Sequence, residues 1–563
     1  ITNTGGCETG PAVPKPGNPN IVYSNCKGRF GVFNKLTGQE KQYYVGASNM
    51  YGHNPKDLKY RFQRVAPIFV SSHNSNVIYH GSQYLHKTID DGKTWKTISP
   101  DLTAFEDDKQ VISGSPITRD ITGEEYYSTI YSIRESPLVE GVLWVGSNDG
   151  PIHLTKDGGI TWHKVTPNDV NNGGRVDSVE PSHFKMEKAY VTILRYQLGD
   201  WKPYIYKTLD FGESWELITN GIPNNYPVRV LREDPVREGL LYAGTEFGMY
   251  VSYDDGKNWE SLQLNLPVTP VTDIKIHRGN LILSTMGRSF WILDNINLLR
   301  YNLSEDINLY PVNNSIRYRY RSGNNNHISY SEPSIDFDYL VNGNVEKITF
   351  SIYNSNNNLI NSYSSVNKKE SIEEFSMSTN DFISISSSLI SLKQGINRFH
   401  WNMRHKGSWH NNVSRSYRNG PLVKPGNYRV VMQIDDKKFE RKFSVLPDPR
   451  LSHINDDTYV EQEKFLLETT TLLSDLRQFE FKLNNELKNN NNNNKRVKQL
   501  KLIKNKISIK EGPYMQPMLI NQLSYLISML SRADQKPGND AYIRLDEIKS
   551  KFNLIQNNYN ILD

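Results

Sequence analysis

A short pattern that occurs four times constrains this chain more than any other feature. Thr88-x-Asp90-x-Gly92-x-Thr94-Trp95 is followed by Thr155-x-Asp157-x-Gly159-x-Thr161-Trp162, Thr208-x-Asp210-x-Gly212-x-Ser214-Trp215 and Ser252-x-Asp254-x-Gly256-x-Asn258-Trp259. The tryptophans step by 67, 53 and 44 residues. Recurrence at such a period marks a repeat architecture. The upstream context repeats as well, as in "NSNVIYHGSQYLHKTIDDGKTWKTI" and "REGLLYAGTEFGMYVSYDDGKNWESL". Each stretch reads as a strand, a turn, a second strand, a tight polar hairpin and a further strand opening at Trp. Val, Ile, Leu and Tyr alternate within the strands. A β-meander repeated every roughly 45 to 65 residues predicts propeller blades.

The residue types explain the hairpin. Asp accepts from backbone N–H groups of its own turn, and Gly supplies positive φ. The Ser or Thr hydroxyl holds the strand end. Trp offers a broad surface to pack between neighbouring sheets. Asp90, Asp157, Asp210 and Asp254 are therefore read as turn staples rather than catalytic acids. Trp95, Trp162, Trp215 and Trp259 are expected to be largely buried at blade peripheries. Five or six blades are expected: a partial one around residues 21–33, four carrying the motif, and a last one over 271–294.

The pattern resembles the Asp-box, or BNR, repeat. Longer strings carry a wider resemblance: "KDLKYRFQRVAPI" (56–68), "GSPITRDITGEEYYSTIYSIRESP" (114–137), "RVLREDPVREGLLYAGTEFGMYVSYDDGKNWESLQLNLPVTPV" (229–271) and "STMGRSFWILDN" (284–295). With them, residues 1–299 resemble the propeller of a bacterial family described as glycosyl-hydrolase-like or sortilin-like (vacuolar-sorting-receptor-like). The resemblance implies an extracellular or periplasmic protein. It also implies a further propeller half ahead of this region, which fits a chain opening at Ile1.

The second half is built differently. Residues 300–333 are polar and aperiodic and read as a linker. Strand signals return over 334–341, 346–354, 396–404, 426–435 and 437–446, with Asp435-Asp436 as a hairpin turn. Such short strands predict an immunoglobulin-like β-sandwich over 334–447. The resembled family carries such a module, with strings like "NRFHWNMR" and "GPLVKPGNYRV". From 448 to 563 the period becomes helical. Phe465, Leu472, Leu476, Phe479 and Leu483 form one stripe, and Leu519, Leu523, Leu526, Ile527 and Leu530 a second. Ile543, Leu545, Ile548, Phe552 and Ile555 form a third. Asp456 or Asp457 is expected to cap the first helix. Two helical hairpins result, with an Asn-rich loop over 489–494. The fold class is thus mainly β: a propeller, a sandwich and a C-terminal helical segment.

Composition narrows the function. Lys plus Arg number 66 against 61 Asp plus Glu, a net charge of +5. That balance gives no focused basic stripe for nucleic acid. No apolar run is long enough for a membrane span. The 13 histidines show no H-E-x-x-H pair or clustered ligand spacing, so neither a metal nor a cofactor is expected. His80, His86 and His153 read as packing or surface residues. No P-loop, dinucleotide fingerprint or nucleophile elbow is present. The two cysteines, Cys7 and Cys26, are equally compatible with a bridge and with two free thiols.

A propeller binds its ligands at the mouth of the axial channel. An acidic residue precedes a Pro-containing turn in three blades: Glu135 in "RESP", Glu180 in "VEPS" and Glu233 in "REDP". If the blades are equivalent, these carboxylates ring the channel at one depth. They either face a cation or polyhydroxyl ligand or hold their own blades together. Arg134 and Arg232 stand beside two of them, and with Arg288 they are the candidate ligand-binding residues. Hydrolysis of a glycosidic bond needs two carboxylates at a defined separation. The candidates are Glu135, Glu180, Glu233 and Asp234, with Glu124, Glu125 and Glu246 behind them, and no signature selects a pair. Arg61, Arg119, Arg175 and Arg195 do not complete a sialidase triad. The expectation is a propeller that acts on or binds carbohydrate. The alternative is a non-catalytic scaffold holding a peptide or protein on the channel face. The expected partner is accordingly a polysaccharide or peptide at that face, with no nucleic acid.

Overall fold

The structure is a computed structural model. It describes residues 4–6, 10–112, 126–170, 173–301, 309–319, 332–365, 390–412, 415–489, 494–509 and 512–561. The chain divides into two compact units, Ile1–Tyr301 and Asn302–Asp563.

The first unit is a β-propeller. Five four-stranded antiparallel sheets are followed by one three-stranded sheet. Their first strands are Ala12–Lys15, Ile68–Val70, Ile130–Glu135, Arg175–Pro181, Val228–Glu233 and Val271–His277. The first strands of successive sheets touch one another, which makes them the inner strands lining the axis. The second strands Leu143–Ser147, Ala189–Leu194 and Leu241–Thr245 are buried at every residue. A strand covered by sheets on both faces needs apolar residues on both, which is why these strands read as continuous hydrophobic runs. Aromatic side chains fill the seams between sheets. Trp144, Tyr206 and Trp215 share one seam, and Tyr190, Leu231 and Trp259 the next. The first sheet is complete, running from Ala12 to Tyr44, rather than the fragment expected around residues 21–33. Cys26, at the end of its second strand, is disulfide-bonded. Cys7 lies outside the described residues, as do Arg119, Glu124 and Glu125.

In the second unit a five-stranded sheet and a two-stranded sheet enclose one core around Phe337, Phe350, Phe399 and Trp401. Strands Gly426–Ile434 and Lys437–Leu446 meet at the Asp435 turn, where Asp435 takes φ 47°. The segment read as a linker contributes to this sheet. Ser315–Ile316 pairs in parallel with Lys437–Leu446, Ser315 facing Val445. Two residues make so weak a periodic signal that the polar sequence around them hides the strand. Arg317 and Arg319 then both reach Asp534, each at 2.8 Å, and Arg319 also reaches Gln462. The sandwich and the helices are therefore pinned through a carboxylate that is fully buried.

The helical core joins Phe465, Leu476 and Leu483 of Asp456–Asn489 to Leu523 of Leu519–Leu530 and to Ile548 and Phe552 of Asn539–Asn560. Ile543 falls off the third stripe and is 57% exposed, while Tyr559 extends that stripe inward. The capping side chain of the first helix is Asn455, not Asp456 or Asp457. Its Oδ1 accepts from the Thr458 N–H at 3.1 Å and from the Thr458 hydroxyl at 2.7 Å. Residues 490–493 of the Asn-rich run lie outside the described residues.

Candidate functional site

Two sets of side chains converge on the axis, and both follow from strand register. After the inner strand, four equivalent backbone bonds close the turn: Ser71 N–H to Val77 O, Ser136 to Val142, Ser182 to Lys188 and Asp234 to Leu240. Two residues before those donors stand Phe69, Arg134, Glu180 and Arg232. In the sixth sheet the equivalent position is Lys275, because Val271 pairs with Thr285 as Val228 pairs with Thr245 and the same register shift follows in both sheets. Phe69, Arg134, Glu180, Arg232 and Lys275 thus occupy one level on five consecutive inner strands.

The second set comes from β-bulges. The register shifts between Val176 and Ser178, between Val228 and Val230, and between Val271 and Asp273. It shifts again opposite Tyr131, where Ser132 pairs with Gly146 and Ile130 with Ser147. A bulge leaves one residue unpaired and re-aims its side chain. Tyr131, Asp177, Arg229 and Thr272 are those residues, about 10 Å from the first level along the strand at ordinary rise.

The levels differ in their charge pairing. At the bulge level, Arg229 Nε donates to Glu246 at 2.6 Å, and Arg175 binds Asp177 through Nε and through Nη2, the latter at 3.0 Å. The Arg175 guanidinium lies 4.5 Å from the Tyr131 ring centre, and that of Arg229 lies 5.8 Å from Tyr196. Tyr196 in turn meets Trp201, with ring centres 5.6 Å apart, and Trp201 is 48% exposed. An open aromatic ledge is therefore continuous with a polar array. At the first level, Arg232 is fully used. It donates to Asp273 at 2.7 Å, to Ser178 Oγ at 2.6 Å, to Glu180 at 3.3 Å and to the Ile274 carbonyl at 3.1 Å. Among the described residues Arg134 pairs with Glu180, at 3.7 Å, and lies over the Phe69 ring at 5.4 Å. Burial, then the nearby Arg232, hold its pKa below the usual arginine range, although a guanidinium stays protonated. Lys275 is exposed on its strand and, among the described residues, makes no ion pair. Repulsion from Arg134, followed by burial of the surroundings, pushes its pKa down to about 8.

The three glutamates expected to share one depth do not. Pro181, not Glu180, occupies the position of Glu135 and Glu233, so Glu180 sits one residue earlier and faces the axis. A shift of one residue turns a strand side chain to the opposite face. Glu135 and Glu233 point into the seams between sheets. Glu135 accepts from Ser71 Oγ of the preceding sheet, from Tyr79 OH at 3.2 Å and from Gly141 N–H at 3.0 Å. Glu233 accepts from Ser182 Oγ at 2.7 Å, His183 N–H at 2.8 Å and Tyr190 OH at 3.3 Å, and it faces Lys188 at 3.6 Å. Asp234 is also buried, bound by Arg300 Nε at 3.0 Å and by two backbone N–H groups of its own turn. Arg288 is not on an inner strand. It is exposed in the turn between Asn280–Thr285 and Phe290–Leu293, the counterpart of the turn that carries Glu246. Asp273, Lys275, Asp177, Arg229 and Trp201 escaped the sequence reading. Aligning "VRVLRE" with "VTDIKIH" would have put Lys275 opposite Arg232.

The four Asp–Gly–Trp turns do more than staple their own hairpins. In the second sheet Asp90 accepts from the Thr94 N–H at 2.9 Å and the Thr88 hydroxyl at 2.8 Å, and Gly92 N–H donates to Thr88 Oγ1 at 3.0 Å. Asp157, Asp210 and Asp254 repeat this. All four pKa values are lowered. Hydrogen bonds from Thr94, Thr161 and Ser214 lead for the first three, and for Asp254 the bonds from Asn258 and Ser252 outweigh burial. The indole N–H groups of Trp162, Trp215 and Trp259 donate across the seam to Ile98, Val165 and Ile218 carbonyls at 2.9, 2.7 and 2.8 Å. A Cβ on Gly159, Gly212 or Gly256 would strike those same three residues. Each of these three turns therefore clamps one blade to the one before it, whereas Trp95 meets the first sheet through ring contact with Phe30, at 5.1 Å between centres. Trp259 is buried, whereas Trp95, Trp162 and Trp215 are half-buried.

No family model matches the chain, and no curated protein does. Solved structures resemble it in fold. The GH74 xyloglucanase from Xanthomonas campestris is 15% identical, with a TM-score of 0.36, over 51% of this chain and 44% of that one. PorZ of the type-IX secretion system of Porphyromonas gingivalis is 13% identical, with a TM-score of 0.37, over 79% of this chain and 60% of that one. YCF48 bound to D1 peptide is 12% identical, with a TM-score of 0.31, over 49% and 74%. The chain therefore spans less than half of the xyloglucanase. These likenesses concern fold and carry no activity across.

Proposed function

We propose that the propeller is a carbohydrate-binding module that engages its ligand at the end of the axis carrying the bulged residues. The observation behind this reading is the contiguity of Trp201, Tyr196, Arg229 and Glu246. An exposed aromatic face suits the apolar side of a sugar ring, and convergent charged donors and acceptors suit its hydroxyls. Binding without cleavage fits the state of the carboxylates. Retaining or inverting hydrolysis needs two of them facing one open cleft. Glu135, Glu233 and Asp234 are committed to the seams, and Glu180 and Glu246 are paired with arginines. The bonded state of Cys26 supports an extracellular or periplasmic setting, where disulfides persist.

A glycan array with the intact protein, followed by calorimetry on the hits, tests the reading. Binding that Trp201→Ala lowers at least tenfold supports it. Release of new reducing ends would overturn the non-catalytic part. Capture of peptides with no glycan bound would replace it with the peptide-scaffold alternative.

A further inference from the structure

The sixth sheet ends on an edge that the other sheets of the propeller protect. In the second to fifth sheets one position of the third strand is fully buried: Leu85, Ile152, Ile205 and Met249. Each shares a core with the inner strand of the following sheet, through Ile130, Val176, Val228 and Val271 in turn. Each carbonyl accepts from the residue after a fourth strand, from the N–H groups of Ile98, Val165, Ile218 and Leu262 at 2.9, 2.8, 2.9 and 2.9 Å. Phe290 holds that position in the sixth sheet, since it pairs with Ser284 as Met249 pairs with Gly244. Phe290 is 74% exposed, and Ile292 is 59% exposed where Val251 is buried. Trp291 and Leu293 anchor the strand on the core shared with the fifth sheet. Among the described residues no fourth strand follows, and the Phe290 carbonyl meets no such donor.

An open edge invites strand pairing, and proteins blunt it with charge, brevity, proline or a bulge. The other five sheets do so. Lys96–Thr97, His163–Lys164, Glu216–Leu217 and Glu260–Ser261 are two residues long and each carries a charge, while Gln39–Tyr44 carries Glu40 and Lys41. Phe290–Leu293 is longer, uncharged and without proline, and its pairing with Asn280–Thr285 has no bulge. From this contrast we infer that Phe290–Leu293 is an interface at which two copies of this chain join their sixth sheets edge to edge. A second copy fits the edge because a strand pairs antiparallel with its own copy about a two-fold axis, which satisfies both edges at once. The register follows from the fifth sheet. Met249 turns its N–H and carbonyl outward, the N–H donating to Gln263 Oε1 at 3.2 Å. By equivalence and alternation, Phe290 and Ile292 offer the outward groups in the sixth sheet. An axis through Trp291 sets Phe290 of one copy opposite Ile292 of the other, twice over, and the facing side chains then lie about 5 Å apart on the uncovered face. An axis through Ile292 would instead set Phe290 against the charge of Asp294.

The experiment is sedimentation equilibrium of the full chain over a micromolar concentration series. The expected result is a monomer–dimer equilibrium. Ile292→Lys and Phe290→Lys should each weaken the dimer at least tenfold, because a charge on the edge must be desolvated to pair. Leu36→Lys, at an exposed leucine of the first sheet, should leave it unchanged. All three positions are exposed within one copy, so the variants should keep the parent circular dichroism and melting temperature. Amide exchange at Phe290 and Ile292 should slow as concentration rises in the parent and not in the lysine variants. A monomer at every concentration overturns the inference and leaves the edge to a strand from another protein. A dimer that neither lysine weakens overturns it by placing the interface elsewhere. Growth beyond two copies overturns it as well, since pairing about a two-fold axis closes at two. Protection of Phe290 and Ile292 that does not change with concentration would mean that the chain covers its own edge, and would likewise overturn it.

Discussion

Replacing Glu233 by Gln is the sharpest test of the register argument. The side chain is fully buried. It takes charge-assisted hydrogen bonds from Ser182 and from the His183 N–H, and it shares Lys188 with Asp255, which lies 2.7 Å from that ammonium. Gln keeps the shape and one acceptor, but its NH2 must face a donor. Breaking a buried ion pair costs about 3–5 kcal/mol. Lys188 retains Asp255, so the lower end of that range, about 3 kcal/mol, is expected. Glu180→Gln makes the comparison. Glu180 faces the axis, its arginine contacts are 3.3 and 3.7 Å, and about 1 kcal/mol is expected. Because the chain has two units, a single melting curve is not a clean readout. Amide exchange in Ala189–Leu194, read against Gly426–Ile434 of the sandwich as an internal control, isolates the effect. Glu233→Gln should raise exchange by roughly two orders of magnitude in the first segment, the population change that 3 kcal/mol implies, and leave the second unchanged. Equal losses for the two variants, or a larger loss for Glu180→Gln, would refute the assignment of these glutamates to opposite faces.

Three further outcomes follow from the same geometry. Asp157 has a lowered pKa, so its contribution is present above the ordinary carboxylate value near 3.8 and is lost as pH falls through its folded value. Asp157→Asn should flatten the acid limb of the propeller's melting temperature below about pH 4. Burial lowers His80 to about 4 and His86 to about 3, below the unfolded value of 6.5. The unfolded chain therefore binds more protons between those values, and the second sheet should lose protection in amide exchange as pH falls from 6.5 towards 4. Asp534→Asn should weaken the sandwich-to-helix junction by about 3–5 kcal/mol, since Arg317 and Arg319 both end on it. Faster proteolysis within Leu519–Leu530 would report that loosening, and unchanged proteolysis would argue against it.

How much of this was legible in the sequence depended on what kind of signal each residue gives. The hairpin motif was legible because four local bonds fix Asp and Gly at constant offsets, and a constant offset survives in a linear string. The clamp that the same motif makes was not. Ile98, Val165 and Ile218 accept the Trp indoles through backbone carbonyls, which impose no residue type. The Ser315–Ile316 strand was hidden for a related reason, because its partner is 130 residues away and it has only two residues in which to alternate.

The glutamates show the limit most clearly. Glu135, Glu180 and Glu233 look equivalent when blades are matched by an acid before a proline. The structure matches them by the N–H that closes the turn, carried by Ser136, Ser182 and Asp234. On that alignment Pro181 takes the seam position in the fourth sheet, where it can offer no hydrogen-bond acceptor from its side chain, and the acid moves to the axis. Arg134 and Arg232 on the neighbouring strands then have a carboxylate between them. Had Glu180 kept the seam register, three consecutive inner strands would have presented unpaired or mutually repelling groups to the axis. The one-residue offset thus creates the charge alternation of that level. It stops at Lys275, which stands on the strand next to Arg232 with no carboxylate between them at that level.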